Sequence, residues 1–319
     1  MKINEKIRIG ITAMSYVLPP TRFSLPELRK ARLITSKIET LSDFGFRYAY
    51  IAESEAFDLA LRATRKLFKK HKVDPDSIDM IIYASALSDT NIAKKKSIDP
   101  IMLFRYPATR LQYETGMRKA QVVGISQAGC VSLWTAIRVA KSMLISDSKI
   151  NKILCVSADV LPKGSVREIL YNVVSDAACA VLIERNAVDN VIVSETQITK
   201  GFYWSPADQK NEVVASYFPT AKRVIADSLA SANMTIDDIR YIVPHNVNRQ
   251  SWDVLASMAG IPIEKVYLKN IPKYGHTVAS DNIINLSSLA AGGLIKKGDN
   301  LLLFTYGFGS HWSSTIIRH

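Results

Sequence analysis

Cysteine is scarce in this 319-residue chain: Cys130, Cys155 and Cys179 are the only three, and no C-x-x-C spacing occurs. An odd, widely spaced set in a long chain suggests neither a disulfide framework nor a zinc site, and reduced thiols are expected. Long hydrophobic runs are also missing, since none reaches the length of about 18 residues needed to cross a bilayer. The first eight residues, Met1 to Arg8, lack the apolar core of a secretory signal, so a cytoplasmic location is expected, with no membrane partner. Low-complexity tracts are absent, as are helix-turn-helix, zinc-finger and RNA-binding signatures. That last absence matters because 41 Lys and Arg against 29 Asp and Glu leave a net charge of +12. The charge is dispersed, densest at Lys94 to Lys96, which fits a solvated basic surface, an acidic protein partner or a phosphate-bearing ligand better than nucleic acid.

What is present is a soluble globular composition, 48% hydrophobic and 22% charged, with length for one large or two ordinary domains. Apolar runs predict strands over 7–13, 78–84, 122–125, 153–157 and 177–183, the run at 122–125 reading as a buried strand. Helical patterns occupy 25–38, 53–72 and 101–116 and begin again at Val131. Beyond a polar connection at 186–190, strands at 190–196, 240–244, 300–306 and 312–317 alternate with helices over 211–233, 247–259 and 278–296. Each half carries a long helix, an Asp-containing linker and a strand, at Asp74 to Ala84 and at Asp237 to Pro244. The expectation is an α/β fold of two similar halves, 1–186 and 187–319, packed as one body.

Cys130 falls where a strand, a turn of small residues (Ser126 to Gly129) and an amphipathic helix meet. A thiol there faces the unsatisfied N–H groups and positive end of a helix, which favour the thiolate. The rival reading is a small buried residue at a strand–helix junction. Cys155 and Cys179 sit inside apolar strands and read as core. Three other stretches place polar groups beside strands: Pro244-His-Asn-Val-Asn248, Tyr274-Gly-His-Thr-Val-Ala-Ser-Asp281 and Gly307-Phe-Gly-Ser-His-Trp312. Taken singly, His245 is compatible with a satisfied core histidine and Asp281 with a helix first turn.

Taken together they are more specific. Gly45-Phe-Arg47 with Ile51-Ala-Glu53, Val73 to Ile82, Ala128-Gly-Cys130, Ser175-Asp-Ala-Ala-Cys-Ala-Val181, His245-Asn-Val-Asn248, Gly275-His-Thr277 and Gly307-Phe-Gly309 resemble, in order and spacing, the beta-ketoacyl-acyl-carrier-protein synthase III group of the thiolase superfamily. The resemblance covers essentially the whole chain. It implies a thiolase-like fold with two βαβ-rich halves in five layers, α-β-α-β-α, and a homodimer. It further implies that Cys130 takes an acyl group from a thioester, with the backbone N–H groups of Cys130 and Phe308 forming an oxyanion hole inside the Gly307 to Gly309 turn.

The chain also departs from the family pattern. Members that decarboxylate a malonyl thioester carry an asparagine where this chain has His276, working with the histidine matched by His245. His276 followed five residues later by Asp281 resembles instead a branch of secondary-metabolism enzymes, acyltransferases among them, with a cysteine, histidine and aspartate triad. An alcohol or amine acceptor needs a base to take its proton, and a carboxylate-oriented histidine supplies one. Five residues do not share a face of a regular helix, so His276 is expected in the loop and Asp281 in the first helical turn. His245 would polarise a carbonyl or hold the acceptor, and Asn248 would lie near the pantetheine arm.

The region matching the family's adenine-stacking tryptophan, Lys37 to Leu41, has no aromatic residue. A basic surface including Lys163, Arg167 and Arg249 would suit an acidic acyl-carrier protein. The expected activity is acyl transfer from a carrier-protein or coenzyme A thioester, through acyl-Cys130, to a small alcohol or amine, with no permanently bound cofactor and no metal. The rivals are Claisen-type condensation from the same acyl-enzyme and a non-catalytic thiolase-fold subunit.

Overall fold

The computed structural model of the chain describes residues 7–87, 99, 101 and 104–319; Lys94 to Lys96 lie outside them. Nine strands carry the architecture: Ile9–Val17 (β1), Met80–Ala84 (β2), Gln121–Ile125 (β3), Lys152–Asp159 (β4), Ala177–Arg185 (β5), Val191–Thr199 (β6), Ile239–Val243 (β7), Asn300–Gly307 (β8) and His311–Arg318 (β9). Six helices pack on them: Ala56–His71 (α1), Pro107–Thr115 (α2), Ser132–Ser146 (α3), Lys210–Ser231 (α4), Arg249–Ala259 (α5) and Asp281–Ala291 (α6).

The strands run in the order β7-β8-β9-β6-β1-β5-β4-β2-β3. The two halves are continuous in one sheet, because β1 and β6 pair where Gly10 faces Val191. Ile11 N–H donates to the Asn190 carbonyl at 3.1 Å, and the Asn190 side chain donates back to the Ile11 carbonyl at 3.1 Å. A Cβ on residue 10 would sit 2.7 Å from the Asn190 oxygen, so only glycine permits this approach.

The layers follow from which faces are apolar. Trp134, Ile137, Ala140 and Leu144 of α3 and Ile283, Leu286 and Leu289 of α6 are buried together with Ile82, Ile153 and Leu303 of the sheet. These two helices therefore lie between the halves. On one outer face α1 buries Leu59, Ala60, Ala63 and Leu67 and leaves Lys69 and Lys70 in solvent. On the other, α4 and α5 bury Val224, Ile225, Trp252 and Leu255. The result is the layered α/β thiolase-like arrangement, α-β-α-β-α. Each fully buried Leu or Ile contributes about 1.5–3 kcal/mol relative to exposure. Cys155 and Cys179 belong to the central core, and burial pushes both thiols well above their usual range.

Local differences from the sequence reading have identifiable causes. The apolar pattern over 25–38 belongs to two short helices, Leu25–Lys30 and Ile38–Asp43. Arg32 at φ 58° ends the first, and Leu33 N–H caps it on the Leu28 carbonyl. β3 is a half-exposed edge strand rather than a buried one, because it pairs only with β2. The helix expected over 278–296 is α6, closed by Gly292 and Gly293 and preceded by the 3-10 turn Val278–Ser280. Among the described residues no helix is long and apolar enough to cross a membrane.

Candidate active site

β3 ends at Ile125, Gln127 adopts φ 71°, and the 3-10 turn Gly129–Val131 leads into α3 with Cys130 at its centre. Cys130 is buried, at 7% exposure. The turn lies against the end of β8 with almost no clearance. A Cβ on Gly129, whose φ is +52°, would meet the Phe308 oxygen at 2.6 Å and its nitrogen at 2.9 Å. One on Gly307 would meet the Ala128 oxygen and the Cys130 nitrogen, each at 2.7 Å. Glycines at 129 and 307 thus let the backbones of Cys130 and Phe308 converge. Gly309, at φ +86°, turns the chain into β9.

His276 and Asp281 approach the same point from the second half. His276 lies in the loop before α6, fixed by its N–H on the Val173 carbonyl and by Ser175 N–H on its own carbonyl, each at 2.8 Å. The 3-10 turn Val278–Ser280 then folds the chain back so that Asp281, the first residue of α6, meets the imidazole. Val278 sits there at φ 55°, an unusual conformation for a β-branched residue. Packing of its side chain with Cys130 and Val174 holds it in place.

The resulting relay is short. Cys130 Sγ is 3.5 Å from His276 Nε2, and His276 Nδ1 is 2.6 Å from Asp281 Oδ2. Asp281 is otherwise saturated: Oδ2 accepts from Asn246 N–H, and Oδ1 accepts from the N–H and hydroxyl of Thr277, all at 2.6 Å. Burial raises the Asp281 carboxyl, but His276 and the Thr277 donors outweigh it and hold the group below its usual range. Burial alone would lower the His276 pKa, yet the charges of Asp281 and Cys130 and their hydrogen bonds lift it well above the ordinary histidine value.

His245 follows β7 and is fully buried, its ring 6.0 Å from that of His276 and edge-on to it. Burial, with His276 beside it, depresses its pKa to about 3, so it is neutral at physiological pH. Its Nε2 bonds the Tyr217 hydroxyl at 3.1 Å, while Nδ1 is buried without a protein partner among the described residues. Ligand-type atoms of His245, His276 and Asp281 lie within 4.8 Å of one another. Both carboxylate oxygens are already engaged by protein donors, so the cluster is built as a hydrogen-bond relay rather than as an open metal cage.

The remaining sequence candidates separate. Asn248 caps α5: its oxygen accepts from Ser251 N–H at 2.8 Å, and its amide donates to Asn172 at 3.2 Å. Arg249 is exposed on the first turn of α5, 3.8 Å from Asp253. Lys163 is exposed too. Arg167 is not part of a basic surface; it is 2% exposed and paired with buried Asp176. An unpaired carboxylate in that interior would be costly, which explains why the arginine turns inward.

Several supporting residues gave no sequence signal. Asn246 donates from its amide to the Gly275 carbonyl at 3.1 Å and accepts from Asn285 at 2.8 Å, tying the His245 and His276 loops together. Asn282 accepts from Trp134 Nε1 at 2.7 Å, joining α6 to α3 behind the thiol. Asp159, at the end of β4, accepts from Ala86 N–H at 2.8 Å and so fixes a residue that packs beside Cys130 with Leu161 and Ile169.

Two sequence models match the chain: "3-Oxoacyl-[acyl-carrier-protein (ACP)] synthase III" over residues 126–201 and "3-Oxoacyl-[acyl-carrier-protein (ACP)] synthase III C terminal" over residues 229–319. The first covers the Cys130 turn and the second covers His245, His276 and the Gly307 turn. The chain is similar to the beta-ketoacyl-[acyl-carrier-protein] synthase III of Fusobacterium nucleatum, 24% identical over 97% of this chain and 98% of the relative. In structure it is similar to the 3-oxoacyl-[acyl-carrier-protein] synthase III of Aquifex aeolicus, with a TM-score of 0.83 at 23% identity, covering 98% of this chain and all (100%) of the other. The acyltransferase ChlB3 matches with the same TM-score of 0.83 at 20% identity, over 98% of this chain and 97% of the other.

Proposed function

The chain belongs to the 3-oxoacyl-[acyl-carrier-protein] synthase III family, and from that premise we propose that it is an acyltransferase moving an acyl group from a pantetheine thioester, through Cys130, to an alcohol or amine. The observation that carries this reading is His276, placed between the thiol and Asp281 at 3.5 Å and 2.6 Å. An imidazole so oriented accepts and returns a proton; an asparagine does neither.

The steps balance on these residues. In the resting site Cys130 faces His276, whose affinity for a proton Asp281 and Cys130 both raise. As the Cys130 sulfur attacks the donor carbonyl its proton goes to His276, the backbone N–H groups of Cys130 and Phe308 receive the oxyanion, and the departing pantetheine sulfur takes the proton from His276. Acylation caps the sulfur and leaves His276 neutral, so the imidazole can act as a base. It takes the proton of the acceptor as oxygen or nitrogen attacks the acyl carbon. Collapse of the second tetrahedral intermediate breaks the carbon–sulfur bond, and the proton on His276 passes to the departing Cys130 sulfur. Val174, Val278, Ala86, Leu161 and Ile169 supply an apolar wall for the acyl chain beside Cys130.

The donor is an acyl-carrier protein or coenzyme A, with exposed Lys163 and Arg249 available to an acidic carrier. We place the activity in secondary metabolism and the enzyme in a homodimer, with two thiolase-like halves, 1–186 and 187–319, contributing the nucleophile and the base respectively.

A second reading, decarboxylative condensation, is favoured by the synthase III relatives. The two are separated by loading Cys130 with an acyl group, confirmed by intact-protein mass spectrometry, and offering either malonyl-coenzyme A or small amines and alcohols. Discharge by the amines or alcohols, with no carbon dioxide released from malonyl-coenzyme A, is expected; a ketoacyl product would overturn the acyltransferase reading.

A further inference from the structure

The Tyr217 hydroxyl stands 3.1 Å from His245 Nε2, the one nitrogen of that ring with a protein partner among the described residues. His245 is itself 1% exposed, whereas Tyr217 is half-buried. Tyr217 also belongs to a continuous aromatic wall: its ring is edge-on to Tyr306 at 5.1 Å, and Tyr306 is edge-on to Phe308 at 5.9 Å. Phe308 in turn closes on the Cys130 turn. The wall thus runs from Tyr217, through Tyr306, to Phe308.

Two consequences follow from hydrogen-bond capacity. A hydroxyl offers one donor and two acceptor positions, so bonding to one imidazole nitrogen leaves capacity for a ligand atom. Conversely, a thioester carbonyl cannot bond His245 Nε2 without displacing Tyr217 and forfeiting that buried bond. Access to His245 by a second, bulky pantetheine thioester is disfavoured, and a compact acceptor with a polar group of its own is favoured.

Resting on the acyl-transfer reading above, we infer that Tyr217, anchored by His245, is a specificity-determining residue that binds a second polar atom of the acceptor while the acceptor's nucleophile is deprotonated by His276. The chemical class this selects is a small amino alcohol or diol rather than a simple amine or alcohol. The acceptor nitrogen or oxygen still loses its proton to His276 and the carbon–sulfur bond to Cys130 still breaks; Tyr217 neither gains nor loses a proton in the step.

The test separates the half-reactions. The protein and its Tyr217→Phe variant are acylated on Cys130 with hexanoyl-coenzyme A, and discharge of the acyl-enzyme is timed by mass spectrometry with ethanolamine, with propylamine and with malonyl-coenzyme A. Acylation is expected to proceed within twofold in both proteins. The ethanolamine-to-propylamine rate ratio is expected to fall at least tenfold in the variant, through a higher half-saturating ethanolamine concentration. Equal ratios in the two proteins, or a parallel loss of acylation and discharge, overturn the inference and leave the acyl-transfer reading standing. An acyl-enzyme discharged by malonyl-coenzyme A and by neither amine overturns both.

Discussion

His276 Nδ1 and Asp281 Oδ2, five positions apart in the chain, lie 2.6 Å from each other because one 3-10 turn carries the backbone back between them. The contact fixes the ring so that Nε2, not Nδ1, faces Cys130. It also ties a base to the first residue of a helix whose Ile283, Leu286 and Leu289 are locked into the central core.

Replacing that carboxylate by an amide tests the relay. Asp281→Asn keeps the shape but exchanges an acceptor for a donor next to Asn246 N–H or Thr277 N–H. Acyl transfer is expected to fall by about 10²–10⁴-fold, the usual contribution of general acid–base catalysis. Thermal unfolding should also show a loss of about 1–3 kcal/mol from the unsatisfied buried donors. Unchanged turnover in the variant would show that His276 needs no carboxylate.

His276→Asn installs the residue that decarboxylating family members carry. Discharge of acyl-Cys130 by amines or alcohols should drop at least 100-fold, within the range that a positioned base supplies. Stopped-flow quench with mass detection reads this directly.

The site glycines give a third test. Gly307→Ala would put a methyl group 2.7 Å from both the Cys130 nitrogen and the Ala128 oxygen, forcing the two turns apart. The Cys130 acylation rate is expected to fall by about 10²-fold or more, the loss seen when one oxyanion donor is misplaced. Circular dichroism should show the secondary structure retained. Acylation at the wild-type rate would argue against an oxyanion hole between Cys130 and Phe308.

Acid sensitivity follows from His245. Its folded-state pKa of about 3 lies below the ordinary 6.5, so the native state binds its proton less readily than the unfolded chain. The stability linked to this group is therefore present above pH 6.5 and is lost as pH falls from 6.5 toward 3. By pH 4 the loss is about 3 kcal/mol, at roughly 1.4 kcal/mol per unit. Urea titrations at pH 7 and pH 4 should show this increment shrinking in His245→Asn; an identical acid loss in both proteins would place the sensitivity elsewhere.

Cys130→Ala should remain folded, since the thiol is one small member of an apolar cluster, and should take up no acyl group from hexanoyl-coenzyme A. An adduct persisting in this variant would move the nucleophile to another residue.

Periodicity and turn chemistry made most of the element order legible. The helical face of Ala56–His71 and the apolar runs of β4 and β5 are local properties of the chain, and they recur almost where the pattern puts them. Order and spacing also singled out Cys130, His245, His276, Asp281 and the Gly307 turn. Where local pattern misled, a single backbone angle was responsible: Arg32 at positive φ splits what reads as one helix. Charge misled at Arg167, whose partner Asp176 is nine residues away but meets it only in the interior.

The sequence by itself determined the α/β alternation and the small-residue turns, because these depend on residue type and near-neighbour spacing; the grouping of Cys130, His245, His276 and Asp281 as candidates followed from the family resemblance. Tertiary structure alone decided which of them touch. The 3.5 Å approach of Cys130 to His276 spans 146 positions of chain, and the Tyr217–His245 bond joins a helix face to a strand end. Such contacts arise from how two halves pack across α3 and α6, and no local pattern encodes them. The same packing turns Asn248 into a helix cap, draws Arg167 out of solvent and makes Tyr217 part of the site.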